Sequence, residues 1–370
     1  MAGTPHGFAR RTRGVHSNSR HGAALRKGYA MHIRRFPAAM LATIMLSAAI
    51  LGAADKNSYR VTILVSNEAG EAPVLDPKLV NAWGIAASAT SPWWVADNGT
   101  GYSTIYTGAG VKAALEVVVP GAPTGIVAYG GTQFQVAPGK PARFIFASED
   151  GTISAWSPMA DPTHAVVMVS DPGSIYKGLA VHGDVLFTTD FAECAVETFD
   201  GAWMEFDTPG GFQDSSIPAN YCPFGIQAVG SSIFVTYALK GGKDDVAGQG
   251  HGFVREFDDN GNLLAQVADH GGLNSPWGIA MAPPDFGRFG GCLLVGNFGD
   301  GKINAYCLDD EGAFHPQGAL RQARKPVVID GLWGIGFGNN RGSGPSNVLY
   351  FAAGPDDEAN GYFGKIEFVP

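Results

Sequence analysis

Acidic and amide side chains recur at the ends of short apolar runs along this sequence of 370 residues. Such side chains supply carboxylate and carbonyl oxygens, the ligands that Ca²⁺ prefers. The candidate cation ligands are Asn98, Glu149, Asp190, Asn297 and Asp300. Aspartate and asparagine are also ordinary turn residues, so each position has a purely structural alternative. A site for Ca²⁺ or another divalent ion therefore requires a fold that brings several of them together.

Two polar insertions and three tryptophans are further candidates, in this case for ligand binding. The residues concerned are Trp83, Trp277, Trp333, Asp244, Asp245, His251, Asp357 and Glu358. Each tryptophan stands directly before a glycine and could stack on a sugar or a peptide. The alternative is that the tryptophans wedge between neighbouring structural units and that the loop side chains are solvated.

The catalytic residues are unknown from the sequence. The five histidines that follow position 54 show no metal-binding spacing such as His-Glu-x-x-His. The sequence also lacks the Gly-x-Ser-x-Gly pattern of a nucleophile elbow. Whether the protein is an enzyme is left open at this point.

A repeat in the sequence indicates the structural units that carry these side chains. A short phrase, in which a small or aromatic residue is followed by glycine and then by an apolar residue, occurs six times. Its glycines are Gly84, Gly125, Gly178, Gly225, Gly278 and Gly334, with spacings of 41, 53, 47, 53 and 56 residues. A period in this range indicates repeated supersecondary units.

Each phrase is followed by apolar runs rich in β-branched and aromatic residues, separated by Gly, Pro, Asp and Asn. Three such runs and the phrase itself make four strands in each unit, which predicts an all-β, six-bladed β-propeller with four-stranded blades. The run 60–65 precedes the first phrase, and the last unit is one strand short. We expect the N-terminal strand to complete the last blade, because this pairing removes two exposed sheet edges.

Composition divides the chain into two parts. Residues 1–54 contain eight basic residues and no acidic one, and Arg34 and Arg35 precede an apolar run over 36–51. This order is typical of a secretory signal peptide. We interpret residues 1–54 as an N-terminal extension and signal peptide and residues 55–370 as a single propeller domain. Secretion or export to the periplasm is expected, with no membrane span after cleavage.

The remaining chain is strongly acidic, with 17 basic and 34 acidic residues after position 54. Such a surface repels phosphate backbones, so nucleic acid is excluded as an expected partner. A protein, a glycan or a small molecule remains as the partner, and we expect a monomer.

Four cysteines, all after position 54, predict two disulfides in an exported chain. Cys292 begins one strand and Cys307 ends the next, so they should face each other across an antiparallel pair. Cys194 and Cys222 fall in loops that share one rim of a propeller. We therefore predict the pairs Cys194–Cys222 and Cys292–Cys307.

Several segments carry a family resemblance. They are residues 79–85, 93–101, 244–254, 274–280 and 299–306. Together they resemble an uncharacterised family of secreted bacterial six-bladed propellers, which implies export and the fold. More distantly, the repeat is similar to NHL-repeat and gluconolactonase-like propellers, whose lactonase-like members hold a divalent metal near the axis. Trp, Thr, Lys or Phe stands before glycine here in place of their usual Pro-Asn-Gly, so no metal ligand is transferred.

Two functions follow as hypotheses. The first is an exported binding or scaffold module with an unknown ligand. The second is a metal-dependent hydrolase or lyase, lactonase-like, with its site on the axial rim. The fold alone does not decide between them.

Overall fold

The structure, a computed structural model, describes residues 57–370. The predicted N-terminal extension and signal peptide lie outside the described residues. In the part that is described, no helix is long and apolar enough to cross a membrane.

The apolar runs form six small antiparallel sheets, which confirms the six-bladed β-propeller. β-Branched and aromatic residues favour these strands because their side chains pack on both faces of each blade. Blade 1 consists of Ala82–Ala86, Trp93–Asp97, Tyr102–Tyr106 and Val117–Val118. Blade 2 consists of Pro123–Ala128, Phe144–Ser148, Thr152–Trp156 and Val166–Ser170.

Blades 4 and 5 also have four strands. Those of blade 4 are Tyr221–Val229, Ser232–Leu239, Phe253–Phe257 and Leu263–Asp269. Those of blade 5 are Pro276–Met281, Leu293–Asn297, Ile303–Leu308 and Phe314–Ala319. The short elements outside the blades are Gln135–Ala137 paired with Lys140–Pro141, Arg321–Gln322 paired with Lys325–Pro326, and the 3₁₀ helix Gly287–Phe289.

Blade 3 differs from the four-stranded pattern. Its sheet contains Tyr176–His182, Val185–Asp190 and Ala195–Asp200. A single bridge between Phe199 and Glu205 stands where the outer strand would run. The following segment instead packs on blade 4, where Asp214 is held by the buried guanidinium of Arg255 at 2.5 Å. Phe206 still donates its backbone N–H to the Thr198 carbonyl of blade 3 at 3.0 Å. Residues 207–220, which include Gly and Pro residues, form no strand of that sheet.

Blade 6 closes the ring as predicted. Its strands are Leu332–Phe337, Leu349–Ala353, Tyr362–Phe368 and the N-terminal Tyr59–Ser66, with Val74–Leu75 added outside. The N-terminal strand runs antiparallel to the C-terminal one, with Tyr59 opposite Phe368. The Tyr59 ring also lies 4.9 Å from that of Phe286. The two ends of the described chain therefore protect each other's edges.

The repeated glycines pack each blade against the next around the axis. A Cβ atom at Gly84 would lie 2.5 Å from the Thr124 carbonyl oxygen of blade 2. At Gly225 it would lie 2.0 Å from the Trp277 oxygen, and at Gly334 it would lie 2.7 Å from the Trp83 oxygen of blade 1. At all six glycines the atom nearest to such a Cβ belongs to the backbone of the next blade, at 2.0 to 2.9 Å, so the inner strands approach to a distance that excludes a side chain.

Threonine hydroxyls reinforce this ring of glycines. The Gly225 N–H donates to the Thr236 hydroxyl at 2.8 Å, and that hydroxyl donates to the Pro276 carbonyl of blade 5 at 2.6 Å. Thr189 makes the equivalent link between the Gly178 N–H and the Phe224 carbonyl. Each such relay satisfies a buried backbone donor and joins two blades.

Both predicted disulfides are present. Cys194–Cys222 joins the second-to-third turn of blade 3 to the first strand of blade 4, across 28 residues of sequence. Cys292–Cys307 lies inside blade 5, across 15 residues. The described residues contain no free cysteine.

Replacing Gly225 by alanine tests the glycine ring. We expect Gly225→Ala to lower the free energy of unfolding by about 3 kcal/mol, since the new methyl group collides with backbone of the next blade. Gly130→Ala is the matched control, because a Cβ there meets nothing within 4 Å. Chemical denaturation of both variants measures the difference. Equal free energies of unfolding for the two variants would show that a methyl group at Gly225 does not collide with the next blade.

Candidate functional site

One face of the propeller, here called the upper face, carries the starts of the first strands and the turns between second and third strands. The predicted cation and ligand residues all belong to segments on this face. Their positions separate into an aromatic layer on the axis, a charged cluster above it and turns within single blades.

The aromatic layer, which we call the aromatic plug, consists of Trp83, Phe191, Phe224, Trp277, Phe298 and Trp333. Trp333 stacks between Trp83 and Phe298, with ring centroids 3.7 and 3.9 Å away. Trp277 meets Trp333 edge-on at 5.7 Å. The three tryptophans proposed for ligand stacking are at most 8 % exposed, so their ring faces cover one another. Burial of this apolar area accounts for the residue types at these positions.

Below the plug the axis is narrow and lined mainly by aliphatic side chains. A cavity of about 30 Å³ lies at the level of the ring glycines and is lined by Trp277, by isoleucines that follow these glycines and by Gln227. Gln227 also lines a funnel of about 390 Å³ on the opposite, lower face, together with residues such as Ile85 and Ile335. The described residues that line the two cavities include no charged side chain, so the charged groups considered for chemistry on the axis are those above the plug.

A buried lysine is the centre of the charged cluster. Lys177 stands directly before Gly178, at the position that tryptophan occupies in three other blades. Its side chain is 2 % exposed, and its ammonium donates to Glu149 at 2.6 Å and to Asp244 at 3.1 Å. The ammonium also lies 5.0 Å from the centroid of Trp83. Blades 2, 3 and 4 thus meet at one ion network on top of the plug.

Two asparagines extend the network into blade 1. Asn81 donates to the Asn98 side-chain oxygen at 3.1 Å, and Asn98 donates to the second oxygen of Glu149 at 3.0 Å. Asn81 has a left-handed backbone, with φ at 47°. Its side-chain oxygen is buried and has no hydrogen-bond partner among the described residues. The cluster therefore contains a buried acceptor that lacks a donor.

Blade 6 contributes Glu358 from the turn between its second and third strands. Asp356, Asp357 and Glu358 all have left-handed φ, at 57°, 53° and 67°. Burial, together with the negative charge of Glu149, raises the pKa of Glu358 to about 7, against the opposing effect of Lys177. Three consecutive residues in this backbone region store strain, which is commonly found at functional sites.

The other titratable groups shift for related reasons. Burial raises the pKa of Asp245, although the Ser275 hydroxyl and Lys177 act in the opposite direction. Burial by itself would lower the pKa of Lys177, but Glu149 and Asp244 outweigh it, so this pKa is raised. The ammonium stays charged, and two of the surrounding carboxyls hold their protons more tightly than in water.

The structure brings some of the predicted residues together and leaves others apart. Glu149 and Asp244 bond to Lys177, and Asn98 bonds to Glu149. Asp245 and Glu358 lie close enough for the charge of Lys177 to act on their pKa values. Asp357 is exposed beside Glu358 in the same turn. Lys177 is not among the site residues predicted from the sequence. The signal for it is a charged side chain directly before the repeated glycine, where the other five blades have Trp, Phe or Thr.

The remaining candidates lie in turns of single blades. Asp190 accepts hydrogen bonds from the backbone N–H groups of Ile175 and Ala192. Asn297 donates to the Gly272 carbonyl and to Asp300. The Nδ1 atom of His251 lies 2.9 Å from the Val246 oxygen of its own loop. Among residues 57–370, no group of three or more His, Cys, Asp and Glu side chains is arranged to hold a metal ion.

The chain is thus a six-bladed β-propeller with an acidic, lysine-centred cluster on its axis. It matches no protein-family model. Two uncharacterised proteins of Acanthamoeba polyphaga mimivirus are 32 % and 30 % identical to it over 84 % of this chain. These matches cover 80 % and 86 % of the two viral proteins. The chain belongs to the family that contains them. Because these relatives are viral, they do not support the expected restriction of the family to bacteria.

Solved structures of low identity show propellers of the same general kind. Virginiamycin B lyase from Staphylococcus aureus is 14 % identical, with a TM-score of 0.46, and the match covers 84 % of this chain and all of that one. A gluconolactonase-like protein is 17 % identical, with a TM-score of 0.43, and the match covers 67 % of this chain and 78 % of that one. These likenesses concern the fold.

A double-mutant cycle on Glu149 and Lys177 tests the ion network. We expect Glu149→Gln to cost about 3 kcal/mol of unfolding free energy, because it leaves a buried ammonium with only the exposed Asp244 as a partner. Adding Lys177→Met should restore more than half of this loss. Urea denaturation of the four proteins gives the coupling energy.

The control cycle uses the same substitutions in the surface pair Lys365 and Glu367, whose charged atoms are 3.1 Å apart. We expect its coupling energy to be below about 1 kcal/mol. A coupling energy below about 1 kcal/mol for Glu149 and Lys177 would show that their ion pair contributes no more to stability than a surface pair does.

The pKa of Glu358 also predicts how stability depends on pH. The folded pKa, about 7, exceeds the ordinary value of 4.5. Between these values the unfolded chain loses the proton first, so folding stability falls as pH rises from 5 to 8. Glu358→Gln cannot ionise, and its stability should fall less over this range, by on the order of 1 kcal/mol after solvent screening.

Urea denaturation at pH 5 and pH 8 measures this difference. Glu197, in blade 3, has a pKa raised to about 7 by its burial, and therefore gives a slope of the same sign in both proteins. The comparison of interest is wild type against Glu358→Gln. Identical slopes would show that Glu358 titrates alike in the folded and unfolded chains.

Proposed function

We propose that this propeller is a binding module whose axial cluster on the upper face binds a small cationic ligand, with an organic amine as the favoured class. The observation that carries the proposal is the excess of acceptors over donors around Lys177. Glu149 and Asp244 bond to this ammonium, and two further carboxyl groups, those of Asp245 and Glu358, lie close enough for its charge to act on their pKa values. A ligand that brings a positive charge and N–H donors complements this arrangement.

The unpaired side-chain oxygen of Asn81 supports the same ligand class. It is an acceptor, it is buried, and it lies beside Glu358. An ammonium group can donate three hydrogen bonds and could satisfy both groups. The acidity of the chain after position 54 would also attract cations towards the site.

An organic amine fits better than a metal ion for a geometric reason. The ammonium of Lys177 already stands between Glu149 and Asp244 and offsets one of their two negative charges. Ca²⁺ requires six to eight oxygen ligands at short range. Calcium, as the sequence suggests, remains a second cation to be tested in the same assay.

Export is part of the proposal. Its support is the basic and apolar order of residues in positions 34–54 and the two disulfides, which are typical of oxidising compartments. The ligand would accordingly be met outside the cytoplasm.

Calorimetric titration with 1,4-diaminobutane, and with 1,4-butanediol as the uncharged control, tests the binding site. We expect the diamine to bind and the diol not to bind. Affinity for the diamine should rise by up to about tenfold between pH 6 and pH 8, because Glu358 loses its proton over this range.

Glu358→Gln should weaken diamine binding and abolish its pH dependence. Glu367→Gln, the same substitution elsewhere in blade 6, should change neither. Absence of diamine binding at millimolar concentration, or equal binding of the diol, would refute the amine site. Binding of CaCl₂ in preference to the diamine would replace the amine by a metal ion as the ligand.

A second function has one observation in its favour. A carboxyl with a pKa of about 7, held beside a lysine, suits general acid–base catalysis and agrees with the hydrolase or lyase alternative. Hydrolysis of glucono-δ-lactone, assayed with and without added Ca²⁺, discriminates the two functions. Turnover that disappears in Glu358→Gln would favour the enzyme.

A further inference from the structure

A second cavity, separate from the axial cluster, opens between blades 1 and 2. Its volume is about 420 Å³. Trp94, Phe144 and Trp156 line one side of it. The Trp94 ring centroid lies 4.0 Å from that of Phe144 and 4.7 Å from that of Trp156, and the three residues are at most 6 % exposed, so only a small part of each ring faces the cavity. Sites for small molecules are typically concave, apolar and of this size.

Arg143 supplies a positive charge to this cavity. Its backbone is fixed by hydrogen bonds to Trp156 and Tyr129 on either side. Its guanidinium makes one long hydrogen bond, 3.4 Å to the Gly131 carbonyl, and it forms no salt bridge with any described residue. The carboxylate of Asp184 accepts a hydrogen bond from the Tyr129 hydroxyl, 2.5 Å away, and does not pair with Arg143. Most of the five N–H donors of the guanidinium are therefore free to meet a ligand or solvent.

Trp156 adds a second donor without an acceptor. The residue is 6 % exposed, and its indole N–H is buried without a hydrogen-bond partner in the described chain. The indole N–H groups of Trp83, Trp277 and Trp333 in the aromatic plug are also buried without a partner, so this feature is not specific to Trp156. Trp156 differs from them because it lines, together with Arg143, a cavity large enough to hold a ligand that supplies an acceptor.

We propose that this cavity binds a small aromatic carboxylate. The aromatic ring of the ligand would lie against Trp94, Phe144 and Trp156, and its carboxylate would accept hydrogen bonds from Arg143. Guanidinium and carboxylate match in a planar, two-bond geometry, which gives specificity for an anion over a neutral molecule. The axial cluster would take a ligand of opposite charge, so the two sites are independent.

Titration with 2-naphthoate, and with the neutral analogue 2-naphthalenemethanol, tests the proposal. Calorimetry gives the affinities, and quenching of tryptophan fluorescence reports contact with the cavity wall. We expect wild-type protein to bind the carboxylate at least tenfold more tightly than the alcohol. Arg143→Gln should reduce binding of the carboxylate at least tenfold and leave binding of the alcohol unchanged.

Two further variants keep the test decisive. Ala113→Leu, which fills space at the cavity wall, should weaken both compounds and thereby locate the site. Arg321→Gln, at an exposed arginine of the short hairpin after blade 5, should alter neither. Thermal denaturation verifies that each variant is folded, and Arg143→Lys replaces Arg143→Gln if the latter fails to fold.

Three outcomes would overturn the proposal. They are no binding of 2-naphthoate to wild-type protein at millimolar concentration, equal affinity for the alcohol, and unchanged carboxylate binding in Arg143→Gln. The second outcome would leave a purely apolar cavity without a role for the guanidinium.

Discussion

The inner strands of the six blades pack backbone against backbone around the axis, and this packing governs the rest of the fold. Six glycines allow each inner strand to touch the next, and the last, Gly334, returns to the first blade at the Trp83 carbonyl. A ring closed at this distance leaves room on the axis for little more than flat rings stacked on the upper side. The aromatic plug follows from that geometry, as does the narrow, aliphatic channel below it.

The charged cluster is a consequence of placing one lysine among these aromatic positions. Lys177 cannot be buried alone, because desolvation of an unpaired ammonium is very costly. Glu149 and Asp244 reach it from the neighbouring blades. From blade 1, Asn98 donates a hydrogen bond to Glu149 and is itself held by Asn81. Burial raises the pKa values of Asp245 and Glu358, and the neighbouring acidic groups add to this effect. The hydrogen-bond network and the shifted pKa values at the site thus both follow from the burial of this charged cluster.

Blade 3 explains why local patterns and the final structure differ in one place. Its outer strand is missing, and the segment 207–220 lies instead beside blade 4, where Asp214 pairs with Arg255, about forty residues further along the chain. No local pattern contains that information. The inter-blade cavity beside Trp156 is similar, since it arises from the fit of two sheets whose sequences each read as ordinary strands.

The six units, the closure by the N-terminal strand and both disulfides could be predicted from the sequence. Each of these depends on periodicity and on strand order, which a linear pattern carries. Which polar side chains meet is settled only in the folded ring. Glu149 bonds to Lys177 and Asn98 bonds to Glu149, whereas Asp190 and Asn297, of related chemical types and at similar turns, remain inside their own blades. The physical reason is that convergence depends on distances to the axis and on burial, and these exist only once the ring has closed.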